Sequence, residues 1–203
     1  MSVELATFLS AISGAIIGGL ITGYFAIKST QNSFDHQMKQ SDASEENLIK
    51  GVLQAIHDEI ETVNDQYQDT MGARLDSLPD GEALAFYYPL VSDFFAVYNG
   101  NCFLIGRIPN NDLRKQIIKT YTLAKGMVDS FRLNNELVGK FEHSHNIYEE
   151  TQEEIHRKHA VAHHESLVEY AKVLKASHKI LKSEISNLLR ALRKNGVLNE
   201  VSS

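Results

Sequence analysis

Residues 167–192 read LVEYAKVLKASHKILKSEISNLLRAL. Within them Leu167, Ala171, Leu174, His178, Leu181, Ile185, Leu188 and Leu192 recur in alternating steps of four and three. That is the heptad period of a helix seating one apolar stripe against another helix. A strand would need alternate residues to share a face, and here they do not. The spacing serves a coiled coil between chains or a packing edge inside a bundle, so it fixes the element and not its partner. This last helix is expected to run from about His143 to Lys194, with a possible kink, and to stop at Asn195-Gly196.

Working toward the N-terminus, Ile108-Pro109-Asn110-Asn111 has the chemistry of a helix start, and a helix is expected over about 111–135. On a wheel at 100° per residue, Leu113, Ile117, Ala124, Val128 and Phe131 form its buried face. Tyr121, Lys125 and Arg132 fall within roughly 20° of Arg114, about a quarter-turn away. Lys115 and Lys119 lie further round, and Arg107 joins from the preceding turn. A row of cations with a tyrosine among them suits phosphates and stacked bases. A solvated face paired with the acidic helix at 45–75 gives the same pattern.

Outside the N-terminal span, Glu82 to Ile108 is the most apolar stretch, with Phe86, Tyr87, Tyr88, Leu90, Val91, Phe94, Phe95, Val97, Tyr98, Phe103, Leu104 and Ile105. It is expected to be the buried heart of the domain, two short helices joined at Asn99-Gly100-Asn101. Leu78-Pro79-Asp80-Gly81 before it is a strong turn. Ile49, Val52, Ile56, Ile60, Val63 and Tyr67 recur at helical steps and predict an amphipathic helix with an acidic outer face, from about Ser44 to Leu75.

The N-terminus differs in kind. Leu5 to Ile27 is 23 residues without a charge or a proline. At about 1.5 Å per residue it reaches roughly 35 Å, enough for a ~30 Å hydrocarbon core. Met1-Ser2-Val3-Glu4 lacks the basic region of a cleaved signal. Lys28, Lys39 and Lys50 follow the span, which predicts the N-terminus outside and the rest in the cytoplasm. Ala6, Ser10, Gly14, Gly18 and Thr22 recur every fourth residue, and Ala11, Ala15, Gly19 and Gly23 form a second ladder beside them. Gly14/Gly18 and Gly19/Gly23 are G-x-x-x-G pairs, a surface on which helices approach closely. The expected outcome is a homo-oligomer, trimer or larger, with Ser10, Ser13 and Thr22 lining a narrow polar path if the spans enclose one. The organisation expected is thus all-α: a transmembrane anchor at 1–28, a juxtamembrane linker or helix at 29–44, a cytoplasmic helical bundle at 45–196 with a long coiled-coil-like last helix, and a tail at 197–203.

The net charge of −6 hides segregation. Residues 31–100 carry 13 acids and 3 bases, whereas residues 101–140 carry 7 bases and 3 acids. Residues 171–194 carry 7 bases and 1 acid. Such blocks pair within a bundle or face an anionic partner. The lone Cys102 excludes an intrachain disulfide, fits a reducing compartment and is expected to be buried. His156, His159 and His163 share one helical face, with His164 beside them and Glu153 a turn earlier. They are the only metal-ligand candidates. The H-E-x-x-H pattern fails because Val168 stands four residues after His164, so no metal or other cofactor is expected. No glycine-rich phosphate loop, nucleophile elbow or C-x-x-C occurs, and an enzyme is not expected.

Phe95-Ala-Val-Tyr98, Asn101, Leu104-Ile-Gly106, Pro109, Leu113, Ile117, Tyr121 and Lys125 resemble a pattern in small bacterial proteins that join one membrane helix to a helical cytoplasmic domain. In architecture the chain is similar to the transmembrane effectors of the Hailong anti-phage defence system. The resemblance implies a bacterial inner-membrane, single-pass, oligomeric effector, a ligand-gated pore or ion channel. It also implies a nucleotide or oligonucleotide ligand and a partner protein from the same system. The alternative is a membrane-tethered helical scaffold without a pore, recruiting a protein partner.

Overall fold

The computed structural model describes the backbone of residues 2–90 and 94–197 and the side chains of residues 28–90 and 94–197. The span Leu5–Ile27, Val91, Asp93 and the tail beyond Val197 lie outside the residues described in full. All regular structure among the described residues is helical. The helices are α1 (Ser2–Tyr67), α2 (Ala73–Ser77), α3 (Ala96–Gly100), α4 (Cys102–Gly106), α5 (Asn111–Thr151) and α6 (Glu154–Lys194), with a π-helical turn at Gln68–Gly72. The chain divides into two compact units, Met1–Leu48 and Ile49–Ser203.

In the first unit the stretch expected to be a linker or helix is helical backbone throughout. Phe34, Met38 and Leu48 are exposed there. Among the residues described in full, 28–90 and 94–197, no helix is long and apolar enough to cross a membrane.

The second unit is built on the hairpin of α5 and α6. All eight heptad residues from Leu167 to Leu192 are buried, as their spacing requires. The partner stripe is on α5, where Leu113, Ile117, Thr120, Ala124, Met127, Phe131, Asn134 and Val138 repeat the same four–three steps and are all buried. The heptads therefore serve a packing edge within this chain. Both helix boundaries differ from expectation. Helix α5 continues past residue 135 to Thr151, and α6 begins at Glu154 rather than His143. The chain reverses at Gln152, in the left-handed conformation (φ 53°), with its N–H donating to the Tyr148 carbonyl at 2.8 Å. Helix α5 starts as its sequence predicts: the Asn110 side chain accepts from the N–H groups of Asp112 and Leu113, both at 3.1 Å. Helix α6 ends in a Schellman turn. Gly196 has φ +85°, and the Val197 N–H reaches back to the Leu192 carbonyl at 3.2 Å.

The second unit's share of α1 lays Ile49, Val52, Leu53, Ile56 and Ile60 into the same core. The turn after α2 closes with Glu82 N–H to the Pro79 carbonyl at 3.3 Å, and Gly81 takes the positive φ (+87°) that this turn needs. From there to Leu90 the chain is irregular, not helical as expected. Pro89 supplies no N–H and disfavours helix at the residue before it. Two side chains of α5 hold this segment instead. Asn134 Nδ2 donates to the carbonyls of Leu84 and Phe86, both at 3.2 Å. Asn135 accepts from the Tyr88 N–H at 2.9 Å and donates to the Tyr88 carbonyl at 2.7 Å.

Candidate ligand site

The cations of α5 do not form one open face. Tyr121, expected among them, is buried (1% exposed), and its ring stacks on Tyr98 with centroids 4.0 Å apart. Its hydroxyl donates to Glu59 at 2.7 Å. Burial, and then this carboxylate, push its pKa far up. It is not available to stack on a base. Helix α5 packs on two sides, against α6 and against the face that carries Glu59 and Tyr98, so a one-sided wheel misplaces it. Val128, assigned to the buried face, is half-exposed at the other margin.

Arg114 is tied down by the Ile108 carbonyl at 2.6 Å and Asn111 Oδ1 at 2.8 Å. Lys119 pairs with Glu184 of α6 at 2.6 Å. Arg107 lies over the Phe103 ring at 4.7 Å, and Lys115 is exposed. Three acids of residues 45–80 pair with cations of α6, whereas Glu59 accepts from Tyr121 of α5. Glu61 meets Arg193 at 2.9 Å, Asp76 meets Lys182 at 2.8 Å and Asp80 meets Lys175 at 2.6 Å.

Lys125 and Arg132 remain together. With Asp129, Val128, Phe94 and Phe95 they line a cleft of about 260 Å³. Lys125 Nζ donates to Asn99 Oδ1 at 2.9 Å and sits over the Tyr98 ring at 5.1 Å, both uncharged partners. Arg132 pairs with Asp129 at 2.6 Å. A smaller cavity of about 60 Å³ adjoins this cleft, sharing Phe94, Phe95 and Val128. Its other walls include Ile60, Val63, Met127, Phe131, Leu181 and Ile185. Phe95 stands in both. It is buried, its backbone is left-handed (φ 67°), and its ring meets Tyr121 edge-on at 5.3 Å. An aromatic residue in that region is an outlier that its surroundings must hold.

Glu59 makes part of that hold. One oxygen accepts the Val97 N–H at 2.7 Å and the other accepts the Tyr98 N–H at 3.1 Å, so a carboxylate from α1 caps α3. Tyr67 also lines the cavity, and its hydroxyl meets His178 Nδ1 at 2.7 Å. His178 Nε2 in turn meets Asp76 Oδ1 at 3.2 Å. Burial holds His178 below the ordinary histidine range against the pull of Asp76. The hydrogen bond from Lys182 holds Asp76 below the ordinary carboxylate range.

The histidine face is at the turn end of the hairpin. His156 is 3.5 Å from Glu153, His159 is exposed and His163 half-exposed. His145 and His164 flank the Phe141 ring at 5.7 and 5.5 Å. Among the described residues no group of three or more His, Cys, Asp or Glu is placed to hold a metal ion. Cys102 is exposed rather than buried, with its thiol 3.3 Å from the Tyr98 carbonyl. Ser10, Ser13, Gly14, Gly18, Gly19, Thr22 and Gly23 lie outside the side chains described.

The sequence signals for this site were partial. Lys125 and Arg132 stood out as neighbouring cations. Glu59 carries one sign in the sequence, an acid between the apolar-face residues Ile56 and Ile60. Phe94 and Phe95 stand out in the sequence only as part of the apolar stretch 82–108, and nothing in it places them beside Lys125 and Arg132. No protein-family model matches the chain, and no curated protein or solved structure matches it.

Proposed function

We propose that this protein is a membrane-anchored homo-oligomeric effector whose helical body faces the cytoplasm and controls the state of the assembled spans, as a gated pore or channel. The carrying observation is the uncharged stretch Leu5–Ile27 with its two small-residue ladders, at the start of a helix whose other end, Ile49 to Ile60, is buried in the core of the body. A monomeric anchor needs only hydrophobicity, and paired G-x-x-x-G ladders serve close helix approach. The cleft at Lys125 and Arg132 is the control site in this reading. A role in anti-phage defence rests on the architectural resemblance alone.

The test is the pair Gly14→Leu/Gly18→Leu, followed by native mass spectrometry and a membrane-potential dye in cells expressing the protein. The expected results are fewer subunits per particle and loss of depolarisation. Unchanged subunit count and unchanged depolarisation overturn the reading.

A second reading, a tethered scaffold without a pore, is favoured by the apolar side chains Ile155, Val161, Val173 and Ile180, exposed along α6. It predicts that an unrelated polyleucine anchor in place of Leu5–Ile27 preserves function.

A further inference from the structure

We infer that the apolar cavity and the Lys125–Arg132 cleft together bind one molecule, an unbranched alkyl chain with an anionic head, a carboxylate or a phosphate. This deepens the control-site reading above and rests on it for its regulatory meaning. The binding claim stands on the geometry. Phe94, Phe95 and Val128 line both cavities, so the two adjoin.

Size selects the tail. The apolar cavity holds about 60 Å³. That is well below the ~150 Å³ that accepts a benzene ring, so a thin chain end enters and a ring or a base does not. Polarity sets the direction. Among the described residues, the polar groups on the apolar cavity's wall are neutral: Asn64, Gln66, Tyr67 and Tyr88. The Tyr67 hydroxyl is already engaged by His178. No described group at that end compensates a buried charge, which keeps the head out of it.

Among the described residues the charged groups are all at the other end. Lys125, Arg132 and Asp129 line the cleft, two cations against one acid. Asp129 pairs with Arg132, while Lys125 is held by Asn99 and Tyr98, which carry no charge. An anion there gains the Lys125 ammonium and the free edge of the Arg132 guanidinium. Helix α3 offers it nothing, because Glu59 already occupies the N–H groups of Val97 and Tyr98. Such an amphiphile comes from two sources, a free fatty acid or a lipid of the surrounding bilayer.

The experiment uses the full chain in phosphatidylcholine nanodiscs and a decanoate probe with a diazirine at its chain end. After irradiation, mass spectrometry locates the label. The expected label is on peptides carrying Met127, Phe131 or Ile185. Decanoate competes. Decanol, with the tail alone, and inorganic phosphate, with the charge alone, compete at least about tenfold less well. Labelling falls about tenfold in Lys125→Ala/Arg132→Ala and in Ala124→Leu, which fills the apolar cavity, and persists in Lys125→Arg. Decanol competing as well as decanoate, wild-type labelling of the double alanine variant, or label on other peptides overturns the inference. With phosphatidylglycerol in the nanodisc, suppressed labelling assigns the site to a bilayer lipid, and undiminished labelling assigns it to a free acid. Labelling needs neither oligomer nor pore. A labelled protein that is monomeric and causes no depolarisation therefore retains the site and loses the effector reading.

Discussion

The Glu59 carboxylate binds three donors from two other parts of the fold, the N–H groups of Val97 and Tyr98 and the hydroxyl of Tyr121. Hydrogen bonds to a charged group contribute about 1.5–3 kcal/mol each, and a donor left unsatisfied in a partly buried place costs more than one given to water. Glu59→Ala should therefore lower stability by about 3 kcal/mol, read by denaturant unfolding of the detergent-solubilised protein. Glu59→Gln, which keeps one acceptor oxygen, should lose distinctly less. A second expectation concerns pH. The folded state holds His178 below its ordinary value, so between the two values the unfolded chain binds more protons. Its contribution is complete above the unfolded histidine value of about 6.5 and is lost as pH falls through the folded value. The groups facing it are Tyr67, Asp76, Lys179 and Lys182, with Asp76 opposing the shift. The midpoint of thermal unfolding should fall from pH 7 to pH 5, and His178→Asn should flatten that slope. An equal slope in the variant would remove His178 as its source.

At the scale of elements, what the sequence made legible follows from how directly one face is encoded. Leu167 to Leu192 sit in a strict four–three rhythm, so their burial could be read off. The partner stripe on α5 was harder to see, because Thr120 and Asn134 occupy two of its positions and look polar. The pair Asn134-Asn135 resembles a helix end, since asparagine is at home there. Their amides instead bind the backbone of residues 84–88, a long-range use that no local rule reveals. The true break falls at Gln152, where neither glycine nor proline announces it. Gln152→Gly should be tolerated or stabilising by up to about 1 kcal/mol, because glycine adopts positive φ without a Cβ clash. Leu174→Ala, in the buried seam, should cost about 2–5 kcal/mol. Both are checked by denaturant titration. A marked loss from Gln152→Gly would mean that its side-chain bonds to the Tyr148 and Glu149 carbonyls matter more than its backbone. The candidate site was legible only in its charges. Lys125 and Arg132 could be placed on one helix, but the wall made by Phe94 and Phe95 depends on how the segment before α3 returns to α5.

At the scale of the whole molecule, the hairpin is unevenly supported. Its half near Phe131 and Leu174 is buried with α1 and the segments that follow α1. The half near the turn keeps Val138, Ser144, Ala160 and Leu167 buried, and none of these belongs to the main core cluster. Packing density, and with it resistance to local opening, therefore falls along the two helices toward Gln152. Amide hydrogen exchange should show this as a gradient, fastest around residues 145–160 and slowest around 117–131 and 174–188, with both helices changing in step because they share one seam. A uniform rate along α5 would contradict it. The consequence is a graded arm: its outer turns open for little free energy while its root stays closed. A partner that grips those turns and holds them shut would add protection there first, leaving a footprint that dies away along both helices before it reaches Phe131.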